Sequence, residues 1–393
     1  MNEIIGFENN AIARQWKPIH EIEPGMVLAR TLTCASHNRV ALKIAAGSEL
    51  TSPLLTQIHI HHVECLAVQV SDELYQAEHS GYEQQLNLRQ SRLTDALPLP
   101  RSLPEDARQR ALHLTRSVPE LARKLPAFPG VITPLLALID DEEASLDLLG
   151  AMMKNDPVLT GSVLSTANII RRQHGLDDSS NVFQAISFVG FNRIRNIIIT
   201  VGLNEFLKGT RLSGLLEHLL AVALLSQEIA ALANLSPIEA YVAGILHDIG
   251  KLMLWAEAHD EHGDLPISSD CDLCPLAQER QYFGMDHCVA GHLLAKQWHL
   301  PDAIVHAIGE HHAQLKTLSP LAAVVNLAES LSDTLSPQAS DGKHKHRVNM
   351  QVLSQLNLDL HSPAMYDCYG RSKARLQYAL KQFPDPDFTT EPG

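Results

Sequence analysis

At 393 residues with 45% hydrophobic content, the chain can bury the core of one large domain or of about two to three smaller ones, which excludes disorder as its main state. A formal net charge of −14 argues against general binding to nucleic acid. With no basic start leading into an apolar stretch, no run of about 18 apolar residues, and six irregularly spaced cysteines, neither a signal peptide nor a membrane span is expected and a cytoplasmic location is.

Residues 1–71 read as a small mixed α/β module. Alternating strands are expected over 26–33 and 39–46, then a helix opened by Ser52-Pro53, then a strand over 65–70. From residue 72 the sequence turns polar and helical, breaks at Pro98-Leu-Pro-Arg-Ser-Leu-Pro104 and resumes as helix. Residues 72–117 are therefore expected to be a helical linker, a static spacer more than a hinge. Beyond it, capped helical segments follow one another with almost no alternating strand pattern. The expected fold class is mainly α: an all-helical, bundle-like domain over 118–383, with 384–393 as a tail.

Within that domain, residues 215–232 form a strong amphipathic pattern that carries His218. Ser236, Pro237 and Glu239 then make a capping box with proline at the first helical position. The following run, Tyr241-Val-Ala-Gly-Ile-Leu-His-Asp-Ile-Gly-Lys-Leu-Met-Leu254, reads as one helix with His247 and Asp248 in its last turns. An imidazole and a carboxylate in so apolar a stretch cost several kcal/mol unless something pairs with them. A divalent metal is one such partner; a buried His–Asp hydrogen bond is the other. Adjacent helical side chains diverge by about 100°, so any further ligands must come from other helices. Downstream, Ser319-Pro320 opens a helix that brings Glu329 and Asp333 one turn apart, and either could close the site. Lys251 is placed to contact a phosphate oxygen or neutralise Asp248, or simply to favour a helix C-terminus.

Other candidates are weaker. Cys271-Asp-Leu-Cys274, with His259, His262 and Cys288 nearby, lacks the second ligand pair of a zinc knuckle and reads as two reduced thiols in a loop. With 21 histidines in the chain, His292, His299 and His306 read as packing or surface residues, as do those of the polar loop 336–346. Arg171-Arg172 and Arg193 with Arg195 read as solvated helix faces.

A helical His, then His-Asp, then a helical carboxylate resembles the HD superfamily of metal-dependent phosphohydrolases. The resemblance implies metal ligands at His218, His247, Asp248 and Glu329, the last standing where the superfamily usually has Asp. Over 118–383 the chain is closer still to the HDOD group, the HD-related output domains of bacterial signalling proteins. Leu125-Pro-Ala-Phe-Pro-Gly130, Asn155-Asp-Pro-Val-Leu-Thr160, Gln184-Ala-Ile-Ser-Phe-Val-Gly190, Phe283-Gly-Met-Asp-His287 and Trp298-His-Leu-Pro301 carry that likeness in family order. His287, His311 and His312 are similar to the extra ligands of the HD-GYP relatives, which degrade cyclic di-GMP at a site with two or more metals. The Gly-Tyr-Pro that should follow the paired histidines is replaced by Ala313-Gln-Leu-Lys-Thr-Leu-Ser319. Ile22-Glu-Pro-Gly-Met-Val-Leu-Ala-Arg30 is similar to part of the module that precedes some HD-GYP domains.

Two functions are implied. One is a cytoplasmic regulatory protein whose HDOD domain addresses signalling partners and holds a divalent metal: iron, manganese or zinc. The other is a metal-dependent phosphohydrolase acting on cyclic di-GMP or another nucleotide, with catalytic roles for Asp248 and Lys251.

Overall fold

The structure is a computed structural model, and it describes residues 12–36, 39–61, 63–90, 105–124, 179–189, 215–261, 275–297, 300–313, 317–335 and 348–382, with isolated positions between 149 and 198. The chain divides into two compact units, one of Met1–Gly81, Phe128–Lys208 and Tyr369–Gly393, the other of Tyr82–Ala127 and Gly209–Cys368. The described residues are mainly helical.

In the first unit, β1 (Arg14–Pro18) pairs antiparallel with β4 (Cys65–Gln69), and β2 (Leu32–Ser36) with β3 (Arg39–Ile44), with a bulge between Cys34 and Ala35. The helix α1 (Ser52–Ile60) lies between β3 and β4 in sequence and starts with its proline in the first turn, where the missing N–H costs nothing. Ile19, Leu28, Leu32, Ile44, Leu50, Ile58, Leu66 and Val68 form the core of this unit. The strand expected over 26–33 is not continuous. Val27 and Leu28 make isolated bridges to Glu49 and Val68, the chain bends at Ala29–Arg30, and regular pairing begins only at Leu32. The alternation persists because both parts bury one face, but against different partners.

The helix α2 (Asp72–Gln90) follows, and α3 (Glu105–Lys124) runs through residue 118 without a break. Between 149 and 198, α4 spans Val182–Val189. The last helix, α13 (Pro363–Gln382), ends in the first unit, where the Arg371 guanidinium lies 4.6 Å from the Trp16 ring centroid and Arg375 pairs with Glu64 at 2.6 Å.

The second unit is built on a hairpin of α5 (Leu215–Leu232) and α6 (Pro237–Leu246). Its turn follows the capping grammar: the Glu239 amide donates to Ser236 Oγ at 3.3 Å. The run from Tyr241 to Leu254 is not one helix, however. α6 stops at Leu246, His247 and Asp248 form a turn, and α7 (Ile249–Glu261) starts afresh. Then come α8 (Pro275–Phe283), α9 (His287–Gln297), α10 (Asp302–Glu310), α11 (Pro320–Ser332) and α12 (Met350–Leu356). α11 packs on α5, α6 and α10; α10 packs on α9, and α9 on α7, so these helices surround the α6–α7 break.

Two glycines permit close approaches here. A Cβ on Gly250 would lie 1.9 Å from the His287 carbonyl oxygen, so α7 and α9 touch backbone to backbone. Gly284, at φ +77°, turns the chain from α8 to α9 with no space between it and the Ala107 carbonyl of α3. Among the described residues, no helix is long and apolar enough to cross a membrane.

Candidate metal centre

Six helices bring seven candidate ligands and a lysine together. His218 sits in the first turns of α5, His247 and Asp248 form the break between α6 and α7, and Lys251 follows in the first turn of α7. His287 is the first residue of α9, His311 and His312 follow the end of α10, and Glu329 lies in the last turns of α11. His247, Asp248 and His311 have no exposed surface, and His287 and Glu329 are 2% exposed. The His218 and Lys251 side chains, at 21% and 30%, are the more open ones.

Asp248 is the hub. Its Oδ2 lies 3.4 Å from His247 Nε2 and 3.6 Å from His218 Nε2, and these two nitrogens are 3.2 Å apart. A triangle of that size is what ligands of one ion form when each bond is about 2.1 Å. Its Oδ1 faces the other way, 3.1 Å from His287 Nε2 and 4.0 Å from His311 Nε2. His312 Nε2 is 3.2 Å from Glu329 Oε1. Three overlapping sets have ligand atoms within 4.8 Å of one another: His218, His247 and Asp248; His287, His311 and His312; His247, His311 and Glu329.

The opposite ring nitrogens decide what these faces can do. His247 Nδ1 lies 2.7 Å from the Gly244 carbonyl and His311 Nδ1 2.8 Å from the Ile308 carbonyl, so each must carry its proton there and leave Nε2 as a lone pair. His218 Nδ1 is 3.5 Å from Ser332 Oγ, whose own proton goes to the Glu329 carbonyl. The His247 lone pair therefore faces His218 Nε2 at 3.2 Å, a place that either a His218 proton or a cation can fill. Asp248 Oδ1 and His287 Nε2 are buried polar atoms with no hydrogen-bond partner, their 3.1 Å approach being out of alignment. Imidazoles and carboxylates converging with inward ring nitrogens and orphaned atoms fit a divalent metal.

The electrostatics agree. Burial, aided by His247, pushes the His218 imidazole down to about 3. Burial likewise lowers His247, and burial together with His312 lowers His311 far below its ordinary value, so all three are neutral donors. Burial by itself would raise the Asp248 carboxyl, but Lys251, then His247, His287 and His218 outweigh it and hold the group well below the usual carboxylate range. Burial would lower Lys251, yet Asp248 prevails and raises it. Burial and nearby carboxylates raise the Cys288 thiol, which lies 3.8 Å from His311 Nε2 and is not among the converging groups.

Asp333 caps the end of α11 and is not among the converging groups. His292 approaches the Val305 carbonyl and His306 pairs with Glu310 on the surface, both apart from the cluster. Cys271, Cys274, His262, His299, Arg172, Arg193, Arg195 and the loop 336–346 lie outside the described residues, as do the segments 125–130 and 155–160. Sequence reasoning missed Glu279, 1% exposed, which holds the back of the His287 ring; a buried carboxylate in the stretch Gln278-Glu279-Arg280 is indistinguishable by pattern from a solvated one.

Known proteins match over parts of the chain. The HDOD domain family model matches residues 125–314. A protein of Treponema pallidum without an assigned function is 20% identical over 240 residues, 58% of this chain and 45% of its own length. A ribonuclease Y of Ureaplasma parvum is 33% identical over 118 residues, 30% of this chain and 20% of the enzyme. The chain thus spans less than half the length of either relative. Among solved structures, an HDOD domain protein of unknown function from Geobacter sulfurreducens is similar at 23% identity and a TM-score of 0.42, covering 68% of this chain and 94% of that one.

Proposed function

We propose, from the premise that residues 125–314 are an HDOD domain, that the chain is a bacterial signal-transduction protein whose second unit holds a divalent metal centre organised by Asp248. The observation that carries this reading is the meeting of two imidazole nitrogens, His218 and His247 Nε2, 3.2 Å apart and both within 3.6 Å of Asp248 Oδ2. A site that had lost its metal would be under no pressure to leave Asp248 Oδ1 and His287 Nε2 unpaired. Iron, manganese and zinc all suit the donor set. The test is the metal content of anaerobically purified protein by mass spectrometry. One or two equivalents that vanish in Asp248→Ala are expected; wild-type protein that neither contains nor takes up metal overturns the reading.

A second reading, phosphoester hydrolysis, is favoured by the way Asp248 turns its two oxygens to two separate histidine sets, the arrangement a pair of ions would need. Such ions would supply Lewis acidity and a water of lowered pKa. The chain's own residues would do the rest. Asp248 would help to hold them, and Lys251, the partly open cation of the cluster, would bind and orient a phosphate oxygen. His218 and Lys251 mark the side from which substrate approaches, because they are the more exposed members. Cyclic di-GMP, a mononucleotide and, given the ribonuclease Y match, a short RNA are the substrates to try. Turnover that disappears in Asp248→Ala supports hydrolysis; none with the metal-loaded wild type leaves the regulatory reading alone.

A further inference from the structure

Glu279 is a buried carboxylate on α8, and among the described residues its ion-pair partner is His287. Its Oε2 accepts from the His287 backbone amide at 2.8 Å and lies 2.7 Å from the same residue's Nδ1, with Oε1 at 3.0 Å. A cap for α9 does not require it, because Asp286 Oδ1 already accepts from the Val289 amide at 3.0 Å. What remains for Glu279 is the ring. A carboxylate on Nδ1 keeps a proton on that nitrogen and leaves Nε2 as the atom aimed at Asp248 Oδ1 3.1 Å away.

We infer that Glu279 is a positioning residue for the centre: by holding His287 at both its amide and its Nδ1, it fixes the ring's tautomer and its aim at the Asp248 Oδ1 face. This rests on the metal-centre reading. Without Glu279, nothing keeps the proton on Nδ1 or the ring in place, and Nε2 loses its aim at the Asp248 Oδ1 face.

The test uses the full chain stripped of metal. Mn2+ affinity is measured by calorimetry, and protonation of His287 by nitrogen NMR on histidine-labelled protein, for wild type and Glu279→Gln. Gln keeps the size and can still accept from the amide, so the melting temperature of the stripped protein should hold. Mn2+ affinity should fall roughly 10- to 100-fold, with protonation of Nδ1 reduced. Unchanged affinity with the proton still on Nδ1 overturns the inference. Should wild type bind no Mn2+, the metal-centre reading fails, and the NMR comparison decides the role of Glu279 independently. If the Gln variant does not fold, Glu279→Asp gives the same readout, since it keeps the charge but withdraws the oxygens by one methylene from the ring.

Discussion

Lys251 Nζ lies 2.5 Å from Asp248 Oδ2, the oxygen that also faces His218 and His247. One carboxylate oxygen thus serves the cation of its own helix and the two inward imidazoles. Its counter-charge in the stripped protein comes from Lys251.

Removing that cation should therefore destabilise the stripped protein more than the loaded one. Lys251→Met leaves Asp248 buried with its strongest partner gone, a change worth up to about 3 kcal/mol once the lysine's partial exposure is allowed for. Urea titrations with and without Mn2+ should show the loss and its recovery by metal. Equal losses in both conditions would mean that metal does not take over the charge of Asp248.

The two oxygens of Asp248 predict a divisible stoichiometry. His218→Ala should remove about one equivalent of bound metal and His287→Ala about one other, whereas Asp248→Ala removes both. Elemental analysis of the three variants beside wild type checks this. Loss of all metal in either histidine variant would point to a single ion.

Acid should unfold the stripped protein early. His218 drops from its ordinary 6.5 to about 3, and His247 and His311 are lowered too, so the unfolded chain takes up protons that the folded one refuses. Their contribution is present above pH 6.5 and is lost as pH falls. Asp248, lowered as well, adds a loss at still lower pH. His287 runs the other way: burial would lower it, but Glu279 and Asp248 outweigh that and raise it, so its stabilisation is present below 6.5 and fades as pH rises through its folded value. Three lowered imidazoles against one raised give a melting temperature that falls from about pH 7.5 to about pH 5. A rise on acidification would mean that His287 dominates.

Gly250→Ala should be among the most damaging single-methyl additions in the second unit. The new carbon would sit 1.9 Å from the His287 carbonyl oxygen, a backbone atom that no side-chain rotation can move away. Parting α7 from α9 should cost at least about 3 kcal/mol and move His287 from Asp248, so melting temperature and metal content should fall together. A stable variant with full metal content would show that the two helices slide freely.

Much of this architecture was legible because local chemistry and tertiary packing agree. The Ser236-Pro237-Glu239 start of α6 needs no partner to be recognised, and neither does Ser52-Pro53 at α1. The break at His247 and Asp248 was not legible, because apolar residues continue on both sides and the hydrophobic pattern runs through it unchanged. What ends α6 there is the convergence of other helices on the pair, a tertiary cause. The bend at Ala29–Arg30 has the same origin, since the exchange of strand partners leaves no mark on the alternation. In the centre, His218, His247, Asp248, His287, His311, His312 and Glu329 could be named from motif and resemblance. Which nitrogen each turns inward depends on Gly244, Ile308, Ser332 and Glu279, and three of those contacts use backbone carbonyls or a hydroxyl that no pattern distinguishes.

Most of the converging groups stand at or near helix termini: the α6–α7 break, the first residue of α9, the residues just after α10 and the last turns of α11. Termini are where helices fray and where amide hydrogens exchange with solvent first. An ion held there would knot four loose ends at once while leaving the helix middles as they were. Slowed deuterium uptake at those ends would then be how the rest of the molecule feels its loading.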